Sequence, residues 1–130
     1  MHNANALAEY LLSKLLDSGE RAAAIETAQI LGRKLTAGEM DRLICSCAAR
    51  GFLLDAVEVS KLAGRSLNEN ETAALMNICI SEARFSTASE VAKFCGRPLM
   101  HTEMIRLIDA CCSKGRYRDA IEAIKLISAS

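Results

Sequence analysis

A chain that repeats itself every 32 residues can bury its apolar surface only by laying one copy of the unit against the next. Three strings set the period: LGRKLT from Leu31, AGRSLN from Ala63 and CGRPLM from Cys95, each starting 32 residues after the one before. The register runs along the whole chain. Leu11, Leu43, Leu75 and Leu107 form one column; Ala24, Ala56, Ala88 and Ala120 form a second; Glu26, Glu58, Glu90 and Glu122 form a third. Gly19, Gly51 and Gly115 form a fourth, with Ala83 in the remaining slot. Gly32, Gly64 and Gly96 each precede an arginine: Arg33, Arg65 and Arg97. A unit of this size is one supersecondary element that needs neighbours to cover it.

Each unit reads as two helices. In the second unit Met40, Leu43, Ile44, Cys47 and Ala48 recur with the spacing of one helical face, over about 37–50. Leu53, Ala56, Val57, Ser60 and Ala63 share a face over about 52–63. Thr36 with Glu39, and Asn68 with Glu71, have the spacing of a capping box. In the fourth unit Met100 takes the cap position, so either Thr102 caps instead or that helix end frays. Gly32, Gly64 and Gly96 sit just past the second helix, where a left-handed residue ends it. A single proline leaves the helices uninterrupted, and the few β-branched residues do not alternate as in strands. The expected fold is all-α: a right-handed α-α superhelix, or solenoid, of four helix-turn-helix repeats and eight helices. It is expected to be one domain over 1–130, with repeats at about 5–36, 37–68, 69–100 and 101–130. Matching positions in successive repeats are expected to have matching surroundings.

Function classes narrow next. Basic and acidic residues balance at 16 each, without the basic excess that phosphate neutralisation favours, although a local patch stays open. No apolar run has the length of a membrane span, and no membrane partner is expected. The first dozen residues lack the basic region, apolar stretch and small-residue cleavage site of a signal peptide, so a cytoplasmic location is expected. Of the six cysteines, Cys47, Cys79 and Cys111 fall in one core column with Leu15. Cys112 aligns with Leu16, and Cys95 with Leu31. These are expected to be buried thiols acting as small hydrophobes. Only Cys45 falls on the polar side of its helix. There is no paired C-x-x-C and no histidine at ligand spacing. His2 and His101 have no carboxylate or nucleophile partner in the sequence, and no phosphate loop or nucleophile elbow is present. No enzyme activity, metal or cofactor is expected.

The stretch LIDACCSKGRYRDAIEAIKL, from Leu107 to Leu126, resembles the helix-turn-helix of tetratricopeptide and pentatricopeptide repeats. It shares a Leu/Ile pair, a turn glycine followed by a basic residue and an aromatic, and the small Ala120. The resemblance implies an α-hairpin solenoid and, with it, a binding scaffold. The repeat here is shorter than either family's usual one. Where the tetratricopeptide pattern has a glycine after the first-helix Leu, this chain has Leu12, Ile44, Met76 and Ile108. The pentatricopeptide base-reading positions correspond to Glu9, Asp41, Ala73 and Ile105, and to Thr36, Asn68 and Met100. Acidic and apolar residues in the first of these columns do not fit the RNA code, so the resemblance implies the fold and not the RNA-reading residues.

In the resembling families the first helices line the concave side. That implies exposed positions at Tyr10, Arg42 and Arg106, then Cys45, Asn77 and Asp109: a mixed, aromatic-poor surface better suited to peptide than to stacked bases. Two regular charge rows need a reading. Glu58, Glu90 and Glu122 precede Lys61, Lys93 and Lys125 by three residues, the spacing of a solvated helix ion pair. The Arg33, Arg65 and Arg97 row either ties one repeat to the next and complements helix C-termini, or grips an acidic or phosphate-rich ligand. The terminal helices lack a polar capping face: Leu7, Leu11, Leu12, Leu15 and Leu16 crowd the first, and Ile121, Ile124 and Ile127 the last. One end is therefore expected to pair with a second copy or a partner. The leading expectation is a non-enzymatic adaptor for a protein or peptide, with a homodimer through a terminal repeat as one form of end pairing; the alternative is an RNA-binding repeat protein, with a purely structural module as a third reading.

Overall fold

The computed structural model describes residues 3–128, with side chains to residue 125. His2 and the side chain of Ile127 lie outside it. The described residues are all-α, with eight helices and no strand. In order they are α1 (Ala4–Asp17), α2 (Arg21–Ile30), α3 (Ala37–Ala49), α4 (Leu53–Ala63), α5 (Glu69–Ser81), α6 (Phe85–Phe94), α7 (His101–Ser113) and α8 (Tyr117–Ser128). None is long and apolar enough to cross a membrane. The contacts gather into two compact units, Met1–Glu71 and Thr72–Ser130.

Both kinds of turn close by the same device. After α2, Arg33 N donates to Ala28 O and Gly32 N to Gln29 O, with Gly32 at φ +71°. That is the paired bond pattern of a Schellman end. It recurs after α4 at Gly64 and after α6 at Gly96. Inside the hairpins, Glu20 N, Phe52 N, Arg84 N and Arg116 N reach back five residues in the same way. At Ala83 the left-handed backbone (φ +58°) is held by a residue with a Cβ. That methyl is buried against Cys111 and Ala120.

In the first unit α1 packs on α2, α3 on α4, and α1 on α3. Leu12, Leu16 and Ala28 of the first repeat are buried together with Leu43, Cys47, Ala56 and Val59 of the second. The α1–α2 turn lies directly on α3. A Cβ on Gly19 would stand 3.3 Å from Cys47 N and from Ser46 C, and the Cys47 thiol donates to Gly19 O at 3.5 Å. In the second unit α7 packs on α8. Arg116 bonds Glu82 O and Arg106 bonds Asn77, tying the α7–α8 hairpin to α5 and its turn.

Matching columns do not have matching surroundings at the ends. Leu43 is fully buried, yet Leu11 in the same column is 48% exposed and Leu15 is half-buried. Within the second unit Met76 and Ile80 are buried, while Ile108 is half-buried and Cys112 exposed. The cause is directional. The column of Leu11 and Leu15 faces the preceding repeat, and that of Ile108 and Cys112 faces the following one. Two further expectations change. The buried face of α4 is Ala56, Val59 and Ser60, with Leu53, Val57 and Ala63 half-covered. Among the described side chains of α8 the buried ones are Ala120 and Ala123, while Ile121 and Ile124 are 43% and 50% exposed.

Gly19→Ala should therefore cost more than Gly115→Ala. Both force an alanine into left-handed backbone, about 1 kcal/mol. Only Gly19 also has backbone in the way, whereas a Cβ on Gly115 meets nothing within 4 Å. Urea denaturation should rank wild type, then Gly115→Ala, then Gly19→Ala, with the last lower by about 2 kcal/mol or more; equal losses would refute the close approach.

Candidate functional site

The Arg33, Arg65 and Arg97 row is held by carboxylates at each repeat boundary. Arg33 Nη1 lies 2.7 Å from Glu39 Oε1, and Nη2 lies 3.1 Å from Oε2. Arg65 meets Glu71 with both contacts at 2.9 Å, and Arg97 meets Glu103 at 2.8 and 3.0 Å. Each pair is a planar fork against a planar carboxylate, the strongest geometry open to these groups. Each arginine also donates to the carbonyl of its next residue, Lys34, Ser66 or Pro98. Each carboxylate also accepts the amide of the helix cap, at Thr36, Asn68 or Met100. One glutamate thus closes the capping box of a first helix and clamps the arginine arriving from the previous hairpin.

Two clasps carry a second acid from the preceding first helix: Glu9 on Arg33 and Asp41 on Arg65, both at 3.1 Å. At α7 the same clasp replaces the missing side-chain cap. Met100 is the N-cap, Glu103 accepts its amide, and Thr102 is an exposed residue inside the helix. Glu71 and Glu103 are buried. The Arg33 guanidinium holds the Glu39 carboxyl down at about 2, and Arg65 and Arg97 likewise depress Glu71 and Glu103. The signal in the sequence was the parallel run of Arg and Glu columns six residues apart.

The first-helix positions fall into two groups. Tyr10 is 66% exposed, with Lys14 over its ring. Asp109 is exposed. The others engage the neighbouring repeat. Arg42 bonds Ser13 Oγ at 3.1 Å and Asp17 at 2.8 Å, and Arg106 bonds Asn77 Oδ1 at 3.3 Å. The Cys45 thiol points at Glu71 Oε2, 3.8 Å away. Partial burial, then the Glu71 charge, raises its pKa. Burial pushes Cys47 up to about 11 and raises Cys79 and Cys111. Cys95 and Cys112, expected inside, are exposed. Cys95 is the C-cap residue that follows the last turn of α6, and Cys112 lies on the uncovered side of the last repeat. The ladder pairs Glu58–Lys61, Glu90–Lys93 and Glu122–Lys125 form at 3.6–3.8 Å in open solvent, where such pairs add a few tenths of a kcal/mol.

One concave feature went unread in the sequence. In the first unit Ile25, Ala28, Leu35, Met40 and Leu62 line a cleft of about 350 Å3, rimmed by Gln29, Arg33 and Lys34. Leu62 is 60% exposed, as is its column mate Ile30 to a similar degree, and Phe94 continues the column. An apolar residue at this place in successive second helices, off the core face, was the available clue. Lys34 has no acidic partner within ion-pair distance among the described residues. No family model matches the chain, and no similar curated protein is found.

The clasps set a pH window. A carboxyl held below its free value stabilises the fold fully above that value, and the stabilisation fades as pH falls through the folded one. For Glu39 this runs from 4.5 down to about 2. Urea midpoints should decline across that interval. Glu39→Gln should be less stable than wild type near neutrality and decline less steeply; parallel curves for the two proteins would count against the clasp.

Proposed function

We propose that this chain is a non-enzymatic helical-repeat module, related in architecture to tetratricopeptide and pentatricopeptide repeats, that binds a peptide segment of a protein partner. In this reading the hairpins stack as a right-handed superhelix. The observation that carries it is the cleft of Ile25, Leu35, Met40 and Leu62 with Lys34 at its rim. An apolar floor that accepts one or two side chains, beside a cation available for pairing, suits a peptide with an aliphatic or aromatic anchor next to an Asp or Glu. Leu62 stands in water at an energetic cost that an apolar anchor would recover, at about 25 cal/mol per Å2 covered.

The RNA-binding alternative finds less support. Arg33, Arg65 and Arg97 are each engaged by a carboxylate at bonding distance, and a phosphate would have to displace it. The first base-reading column, Glu9, Asp41, Ala73 and Ile105, is acidic or apolar.

Selection from a display library of random twelve-residue peptides tests the reading. Recovered sequences should pair a large apolar residue with an adjacent acid. Leu62→Asp should weaken them about tenfold or more, and Lys34→Glu should reverse the preference for the acid. A library that enriches nothing, or mixed single-stranded RNA bound with a steep salt dependence, would overturn the proposal.

A further inference from the structure

The repeat junctions inside each unit act as templates for what the two ends of the chain can bind. On the following side of a repeat, three columns are covered wherever another repeat follows: Leu12, Leu16 and Ala28 in the first, and Met76, Ile80 and Ala92 in the third. Their counterparts in the fourth are the half-buried Ile108, the exposed Cys112 and Ile124, which is 50% exposed. On the preceding side the covered positions are Leu43 and Cys47 in the second repeat, and Leu107 and Cys111 in the fourth. Their counterparts in the first are Leu11 and Leu15, flanked by the exposed Leu7 and Tyr10. The two end faces are thus the two halves of one junction, and both are apolar.

We infer that this chain self-associates head to tail, the α7–α8 face of one copy covering the α1 face of the next in the register of the internal junctions. Two polar details fit. At both described junctions a first-helix side chain reaches the helix before it at one pair of columns: Arg42 to Ser13, and Arg106 to Asn77. The same pair of columns between copies brings the Tyr10 hydroxyl to the Asp109 carboxylate, both exposed. The clasp carboxylate also drops out: the glutamate column holds Leu7 in the first repeat, so no orphan carboxylate is trapped on that face. Like ends offer no such match, since a face built for a preceding repeat would meet a copy of itself. A contact between unlike faces leaves one free face on each end, giving open chains or rings rather than a closed dimer. The inference rests on the end faces and not on the cleft, so either can fail alone.

Sedimentation of the 130-residue protein should show mass rising with concentration past the dimer. Leu11→Arg and Ile124→Arg change exposed residues and should keep the wild-type helical circular dichroism. Each alone should sediment as a monomer, with self-affinity weakened about tenfold or more. Each keeps one intact face, so an equimolar mixture should form a heterodimer and nothing larger. Tyr10→Asp, placed against Asp109, should weaken association, and Tyr10→Lys should strengthen it. A wild-type monomer up to millimolar concentration overturns the inference. So does a block by Leu11→Arg alone, or a mixture that stays monomeric. Should either arginine variant fail to fold, the opposite shifts of the two Tyr10 variants decide the matter, and equal shifts overturn it.

Discussion

The packing of one hairpin on the next in the first unit depends on a turn that is left-handed and thin at once. The α1–α2 turn lies on the backbone of α3, with Gly19 close enough that a Cβ would crowd Ser46 and Cys47. Without that approach α1 and α3 would stand further apart, and Leu12, Leu16, Leu43 and Cys47 would lose part of their burial. Two hairpins gain about 1.5–3 kcal/mol for each large side chain they bury together. A turn that holds them apart forfeits several such terms at once. The Cys47 thiol donating to the Gly19 carbonyl satisfies the one acceptor that the close approach would otherwise strand.

The clasps act on a different link. Helix packing fixes how hairpins face one another, and the Arg–Glu forks fix where one ends and the next begins. Glu39, Glu71 and Glu103 each satisfy a helix-start amide and an arginine held by a Schellman end. The boundary loop has little freedom left, because both of its flanking helix termini are bonded to the same carboxylate. At Met100, where the side-chain half of the capping box is lost, the clasp alone keeps α7 starting in register.

Much of this was legible in the residues. Helical spacing placed α3 and α4 to within about a residue of Ala37–Ala49 and Leu53–Ala63. Gly32, Gly64 and Gly96 marked the left-handed ends of the second helices, because glycine enters that region cheaply. The Arg–Glu forks were half legible: the glutamates read as capping residues, but a six-residue pairing across a loop belongs to no helical spacing. The environments of Leu11, Cys112 and Ile124 were hidden for a plainer reason. Periodicity assigns a residue to a column, and only coordinates show on which side of the column the neighbour stands. The cleft at Leu62 was missed because its residues come from three helices and a loop.

Ala83 carries one more implication. Its left-handed backbone costs about 1 kcal/mol that glycine would not incur, and its buried methyl returns about 0.8 kcal/mol against Cys111 and Ala120. The two nearly cancel. At this turn, exchange of alanine for glycine should leave stability almost unchanged. The odd residue in the column is thus compatible with the turn geometry of its glycine counterparts.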